Sequence, residues 1–351
     1  MAELTDNQKK VLSAIENGAN ITETISQNSG VAKGSITAVV NSLIKKGLVA
    51  KNDDATYVAS NAEPATNPSS EEPEAVEQTD ETTEVTVIEA TAEQVAILIP
   101  YLKSEAAGEE LKYALRAWEK NFKEDFRVVV IGDKEDWFSP EVEHIPHDPH
   151  LIKEDCGCPN PSMIRNPQAD VTHKIFTAIA AGAIQGDFII SNDDIYLLGT
   201  TYREDIAALK AFGLLDKGGK SGGIYSQNVK RTAKALEENG LPIHRYGTHT
   251  PMLLEADKVS EIIEKYGALD KGYLLTSLYF NEAYPEARPI QVDGSIHDPI
   301  LASVYRPNVE AQLLKSIFTK RKFLNCDSKG WISVKPHLEI AFPDPSRFEK
   351  Q

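Results

Sequence analysis

Three apolar runs, each closing on polar residues, constrain this chain more than any other feature. QVAILIPYL (94–102), RVVVIGD (127–133) and DFIISNDD (187–194) read as buried strands. EELKYALRAWEKNF (109–122) separates the first two, with Leu111, Leu115 and Trp118 on one helical face. ADVTHKIFTAIAAGAI (169–184) precedes the third. Strand–helix–strand alternation implies an α/β domain with a mostly parallel sheet, over residues 91–351.

The preceding 90 residues divide in two. Residues 61–90 hold nine acids, no Lys or Arg, and several Pro, Ser and Thr. Such a segment buries too little apolar surface to offset its ordering entropy and reads as a disordered linker. It supplies nine of the sixteen net negative charges, so residues 1–60 and 91–351 together carry −7. Residues 1–60 show three helical patterns, through Val11, Leu12 and Ile15, through Ile21 and Ile25, and through Ile36, Val39, Val40 and Leu43. LVAKNDDATYVAS follows as a hairpin. This order resembles the winged helix-turn-helix domains of MarR-like regulators. The resemblance implies a recognition helix whose Lys33, Ser35, Thr37, Asn41, Lys45 and Lys46 contact DNA, and residues 24–52 contain no acid. The same lysine face also suits protein docking.

Several chemistries find no support. The chain has neither a P-loop nor a GxGxxG. The glycines of KGGKSGG (217–223) follow no strand and read as a loop. No apolar run is long enough to span a bilayer, and MAELTDNQKK is no signal peptide, so a cytoplasmic protein without membrane contact is expected. Three cysteines make no disulfide framework. His144, His147, His150, Cys156 and Cys158 are zinc-type ligands, but their spacing matches no standard signature. That stretch reads instead as a Pro-rich active-site loop.

Asp193 and Asp194 stand at the carboxyl end of a strand, where open α/β sheets bind ligands. Crowded carboxylates there suit Mg²⁺ or Mn²⁺, which in turn grips a diphosphate and offsets charge on it as it leaves. A charged turn or a helix cap would explain the same two residues.

ELKYALRAWEKN, VVVIGDKEDWF, HIPH, FIISNDDIYLL, GTHTPM (247–252) and FPDPSRFEK (342–350) together resemble Stealth-like sugar transferases and the related phage glycosyltransferases of hydroxymethylated DNA bases. The resemblance spans roughly 95–351, and the early DAVYTWVDG segment of Stealth proteins is missing. It implies a GT-A-like Rossmannoid fold, a nucleotide-sugar donor such as a UDP-sugar, and a metal on Asp193 and Asp194. Asn192 would then shape the turn, and His249 would complete the metal or diphosphate site if it is not a core residue. Arg116 would reach a donor phosphate, or pair with Glu119 on its own helix. Asp133 would bind the nucleotide or merely close a strand, with Lys134 beside it. Asp170 and Lys174 would face the donor or pair with each other. Asp293, His297 and Asp298 are the candidates for a general base near the acceptor.

The function so implied is metal-dependent transfer of a sugar to a hydroxymethylated base in DNA, with the small domain tethering the enzyme to its substrate. Two other readings remain open. One is a Stealth-like sugar or sugar-phosphate transferase acting on a glycan. The other is a DNA-binding regulator with a degenerate transferase domain.

Overall fold

The computed structural model describes residues 6–31, 36, 39–40, 43–44, 46, 48–51, 56–59, 94–154, 159–217 and 222–350. The chain divides into two compact units, Met1–Val87 and Ile88–Gln351. The acidic segment 61–90 lies outside the described residues.

In the first unit, α1 (Asp6–Glu16) and α2 (Thr22–Ser29) precede helical residues at 36, 39, 40, 43 and 44. Strands β1 (Val49–Lys51) and β2 (Tyr57–Ala59) pair antiparallel. Val11 and Ile15, one helical turn apart, pack with Ile25, Ile36, Val40 and Leu43, and the hairpin adds Val49 and Tyr57. Helix α2 stops at Gly30, whose φ of 68° lies in the left-handed region. Of the expected DNA-facing residues, Lys33, Ser35, Thr37, Asn41 and Lys45 lie outside the described residues. Lys46 is exposed, and its ammonium donates to Gln8 Oε1 at 3.0 Å.

The second unit is a mixed α/β structure around a mostly parallel sheet. Strands β3 (Val95–Tyr101), β4 (Phe126–Gly132), β5 (Val142–Pro146) and β8 (Asp187–Ile190) run parallel, and β11 (Met252–Glu255) closes one edge antiparallel. The order is β11-β8-β3-β4-β5. Chain order therefore runs outward from β3 to β5, then reverses to place β8 on the other side of β3. The crevice beyond the carboxyl ends of β3 and β8 is the switch point, where such sheets bind ligands.

Alternation along the strands sends side chains to two cores. Ile97, Ile99, Val128 and Val130 meet α3 (Glu110–Asn121), α9 (Ala311–Lys320) and α10 (Ser328–Ala341). Leu98, Val129 and Ile131 meet α4 (Pro167–Ala180), α6 (Gly223–Glu238), α7 (Ala256–Tyr266) and α8 (Leu275–Ala283). Trp118 is fully buried, edge-on to Phe122 at 5.3 Å between ring centroids. Truncating a ring of that kind costs about 3–5 kcal/mol.

A second sheet, β13-β14-β9, combines β9 (Ile195–Leu197), β13 (Leu301–Val304) and β14 (Phe323–Cys326). The chain leaves the central sheet at Ile190 and enters this one at Ile195. Residues 191–194 are the bridge, anchored where Ser191 N–H donates to Leu98 O at 3.0 Å. A hairpin, β6 (Leu151–Lys153) with β7 (Met163–Arg165), precedes α4, the short α5 (Arg203–Ala207) follows β9, and β10 (Lys210–Ala211) pairs parallel with β12 (Ile290–Gln291). No described helix is long and apolar enough to cross a membrane.

Candidate active site

The bridge holds Asp193 and Asp194 between the end of β8 and the start of β9. Burial pushes the Asp194 carboxyl up to about 8, and the adjacent Asp193 and Glu110 add to the shift. Burial pushes Asp193 up to about 7, with Glu110 contributing. Each residue keeps some exposed surface, but Asp194 Oδ1 lies below it and has no hydrogen-bond partner. Burial and mutual repulsion oppose ionising both carboxylates at once, and backbone hydrogen bonds at each residue and Lys174 at Asp193 offset this only in part.

Glu110 was not legible as part of this site. It opens α3, the helix that follows β3 after the loop 102–109, and is buried at 4% exposure. Its Oε1 accepts from Ala107 N–H at 2.8 Å, while Oε2 is buried and unpartnered. Asp327 also contributes to the field on Asp194, although its own carboxylate caps α10 by accepting from Lys329 and Gly330 N–H. The one sequence signal for Glu110 is its position, an acid in the first turn of the helix that follows a buried strand.

The positive charge at this edge is internal. Lys174 Nζ donates to Tyr101 O at 3.1 Å and stands 3.5 Å from Asp170 Oδ2. Asp170 also accepts from Arg165 and from His150 N–H, and is fully buried. The alternative reading of Asp170 and Lys174 as a helix pair is what the structure presents. Their contacts join α4 to the strand end. Lys174 does favour ionised Asp193.

Asp133 closes the β4 end by accepting from Lys103 N–H at 2.7 Å, which is the strand-end turn reading, and Lys134 is exposed. Arg116 requires a correction. Its Nε and Nη2 donate to the two carboxylate oxygens of Glu349 at 2.7 and 2.6 Å, and Nη1 donates to Phe342 O. The guanidinium is committed to the C-terminal segment rather than to Glu119.

Asp293 is similarly local. Its carboxylate accepts from Ser295 N–H at 2.8 Å, which holds its pKa below the usual range and makes it a poor base. Asp298 is buried and accepts from four backbone N–H groups, those of 293, 294, 300 and 301, so it organises this loop. His297 is exposed.

His249 has a left-handed φ of 51°, unusual for a residue with a side chain. It is reachable from solvent but stands in a crevice, where burial and Arg245 lower its pKa. With Ser191, Asn192, Tyr225 and Thr276 it lines a cavity of about 220 Å³ next to the bridge. Asp193 and Asp194 do not line that cavity. Among the described residues, no three His, Cys, Asp or Glu side chains are grouped to hold a metal ion. The expected trio of Asp193, Asp194 and His249 is therefore not assembled as one ligand set.

The histidine-rich stretch packs on α4. His147 Nε2 lies 2.8 Å from His173 Nδ1, His150 stacks on His173 at 4.0 Å, and His144 Nε2 meets Gly132 O at 3.0 Å. The His150 ring only stacks, and its buried Nε2 has no hydrogen-bond partner. Cys156 and Cys158 lie outside the described residues.

No protein-family profile matches the chain, and no curated protein matches it.

Proposed function

We propose that the protein is a glycosyltransferase that moves a sugar from a nucleotide-sugar donor to a hydroxymethylated base in DNA. The second unit is read as GT-A-like and the first as a winged helix that keeps the enzyme near DNA. One observation carries the reading: a crowded pair of aspartates at the switch point, with raised pKa values and a buried, unpartnered oxygen on Asp194. Such a pair fits a divalent cation better than an empty pocket.

Asp193 and Asp194 would hold Mg²⁺ or Mn²⁺. Because no third protein ligand joins them among the described residues, the other positions fall to donor phosphates and water, as Mg²⁺ commonly requires. The metal supplies charge neutralisation at the leaving diphosphate. In the transfer, the bond from the sugar's anomeric carbon to the phosphate oxygen breaks, and a bond to the acceptor hydroxyl oxygen forms. The nucleoside diphosphate departs, and the hydroxyl proton passes to a base or to water. Lys174 and the backbone bond from Ser191 N–H hold the strand ends so that the bridge keeps its place.

The test is incubation with Mn²⁺, UDP- and GDP-sugars, and DNA that is plain or carries 5-hydroxymethylpyrimidines, followed by nucleoside mass spectrometry. A hexose-sized gain on the modified base alone, abolished in Asp194→Ala, is the expected result. Donor hydrolysis without a DNA adduct moves the acceptor to a glycan. Absence of both removes the enzyme reading.

A further inference from the structure

Two openings of the second unit meet at Tyr273. A groove of about 750 Å³ is framed by the β6–β7 hairpin, α6 and the turn at 270–273. Lys153, Lys230, Arg231, Lys234 and Lys271 line it, against Glu154, Glu238 and Asp270. Helix α6 delivers its share because residues 230, 231 and 234 fall opposite the buried Val229, Ala233 and Leu236. Arg231 is fixed in place, donating to Asn228 Oδ1 and Gly272 O at 2.9 Å each. Lys234 stands 3.7 Å from Glu238, and among the described residues no ion pair engages Lys153, Lys230 or Lys271. Cations gathered on one side of an acidic chain mark an anion-binding surface.

The second opening is the cavity beside the bridge. At about 220 Å³ it falls below the range of drug-sized ligands and suits a single ring. Its walls are Val171, Ile175, Ile190 and Leu275, with Asn192, Thr276 and the half-exposed Tyr225 as polar or aromatic groups. Tyr273 lines both openings. Asn166 faces the groove while Gln168, on the same first turn of α4, faces the cavity.

We propose that the groove holds the phosphodiester backbone of one DNA strand, with a single base turned into the cavity so that its substituent faces Asn192 on the bridge. This assignment rests on the DNA-glycosyltransferase reading and places the acceptor on the second unit itself. A base must leave its stack to reach a pocket of this size, and an aromatic ring such as Tyr225 offers it a stacking partner.

The test uses the full chain and a fluorescent single-stranded oligonucleotide with one central 5-hydroxymethylcytosine, read by anisotropy across a salt series. Lys230→Glu/Lys234→Glu is expected to weaken binding at least about tenfold and to flatten the log–log salt dependence by about 1.4, the value for two lost phosphate contacts on a single strand. Lys230→Gln/Lys234→Gln gives a smaller loss in the same direction, and both lysines are exposed, so folding is preserved. An abasic site at the central position is expected to weaken binding roughly tenfold, a difference that Tyr225→Ala erases. Unchanged affinity in the glutamate pair overturns the groove. A raised donor KM with unchanged oligonucleotide affinity also overturns it and assigns the groove to the donor diphosphate. If the protein turns over no nucleotide sugar, the parent reading fails, while these binding measurements still decide the groove by themselves.

Discussion

Lys174 donates its ammonium to the carbonyl oxygen of Tyr101 at 3.1 Å from a position only 2% exposed. This single contact joins α4 to the carboxyl end of β3, the strand from which the sheet order reverses. The charge is tolerated because Asp170, one helical turn earlier, stands 3.5 Å away.

Lys174→Met is therefore expected to destabilise the second unit by about 3–5 kcal/mol, since it leaves Asp170 buried with Arg165 as its remaining cation. It also removes the charge that favours ionised Asp193. Urea unfolding followed by tryptophan fluorescence checks the first effect. A loss below about 1 kcal/mol would show that the ammonium is dispensable there.

Gly132 makes the same junction intolerant of a side chain. Its φ is 129°, and an added Cβ would stand 1.9 Å from Tyr101 O. Gly132→Ala is expected to cost upwards of about 3 kcal/mol from strain and overlap combined, or to prevent folding. Soluble yield and the urea midpoint read the effect. Gly186→Ala gives the comparison, with a positive φ but open space around the added carbon.

Arg116 separates scaffold from chemistry. Both it and Glu349 are mostly buried, and removing one partner leaves the other charge uncompensated. Arg116→Met is expected to cost about 3 kcal/mol of stability, while Arg116→Met/Glu349→Gln costs less than the sum of the single changes. A double-mutant cycle by denaturant unfolding measures this coupling. If Arg116→Met instead raised donor KM without loss of stability, the guanidinium would belong to the substrate site after all.

What the sequence revealed follows from range. The strands at 95–101, 126–132 and 187–190 announce themselves through short apolar runs, and the Asp pair through its place at the end of one. Arg116 misled because its partner lies 233 residues away. Glu110 and Asp327 went unremarked because the meeting of α3, the bridge and α10 depends on a second sheet whose strands are three or four residues long. His173 was hidden inside a good helical pattern, and its neighbours His147 and His150 came from another element. Local chemistry was visible, including the Asp170–Lys174 pair four residues apart, whereas partners distant in sequence were not.

The aspartate pair gives stability a pH dependence with a definite sign. Both carboxyls titrate in the folded protein above their ordinary value of 3.8, at about 7 and about 8. Between the ordinary value and these raised ones, the folded state binds more protons than the unfolded state, so stability falls as pH rises. In the presence of a chelator, unfolding free energy is expected to decline by a few kcal/mol from about pH 5 to about pH 8. Asp194→Asn removes the larger titration and its repulsion on Asp193, so its decline is shallower. A divalent cation opposes the trend, because it binds the ionised pair and its affinity rises with pH. Thermal melts with Mn²⁺ or with chelator at the two pH values check this, and no donor or acceptor is needed. The stabilisation by Mn²⁺ is expected to be larger at the higher pH and absent in Asp194→Asn. Equal stabilisation in that variant would move the ion away from the bridge, and a flat wild-type profile with chelator would mean that the two carboxyls are already compensated by the protein.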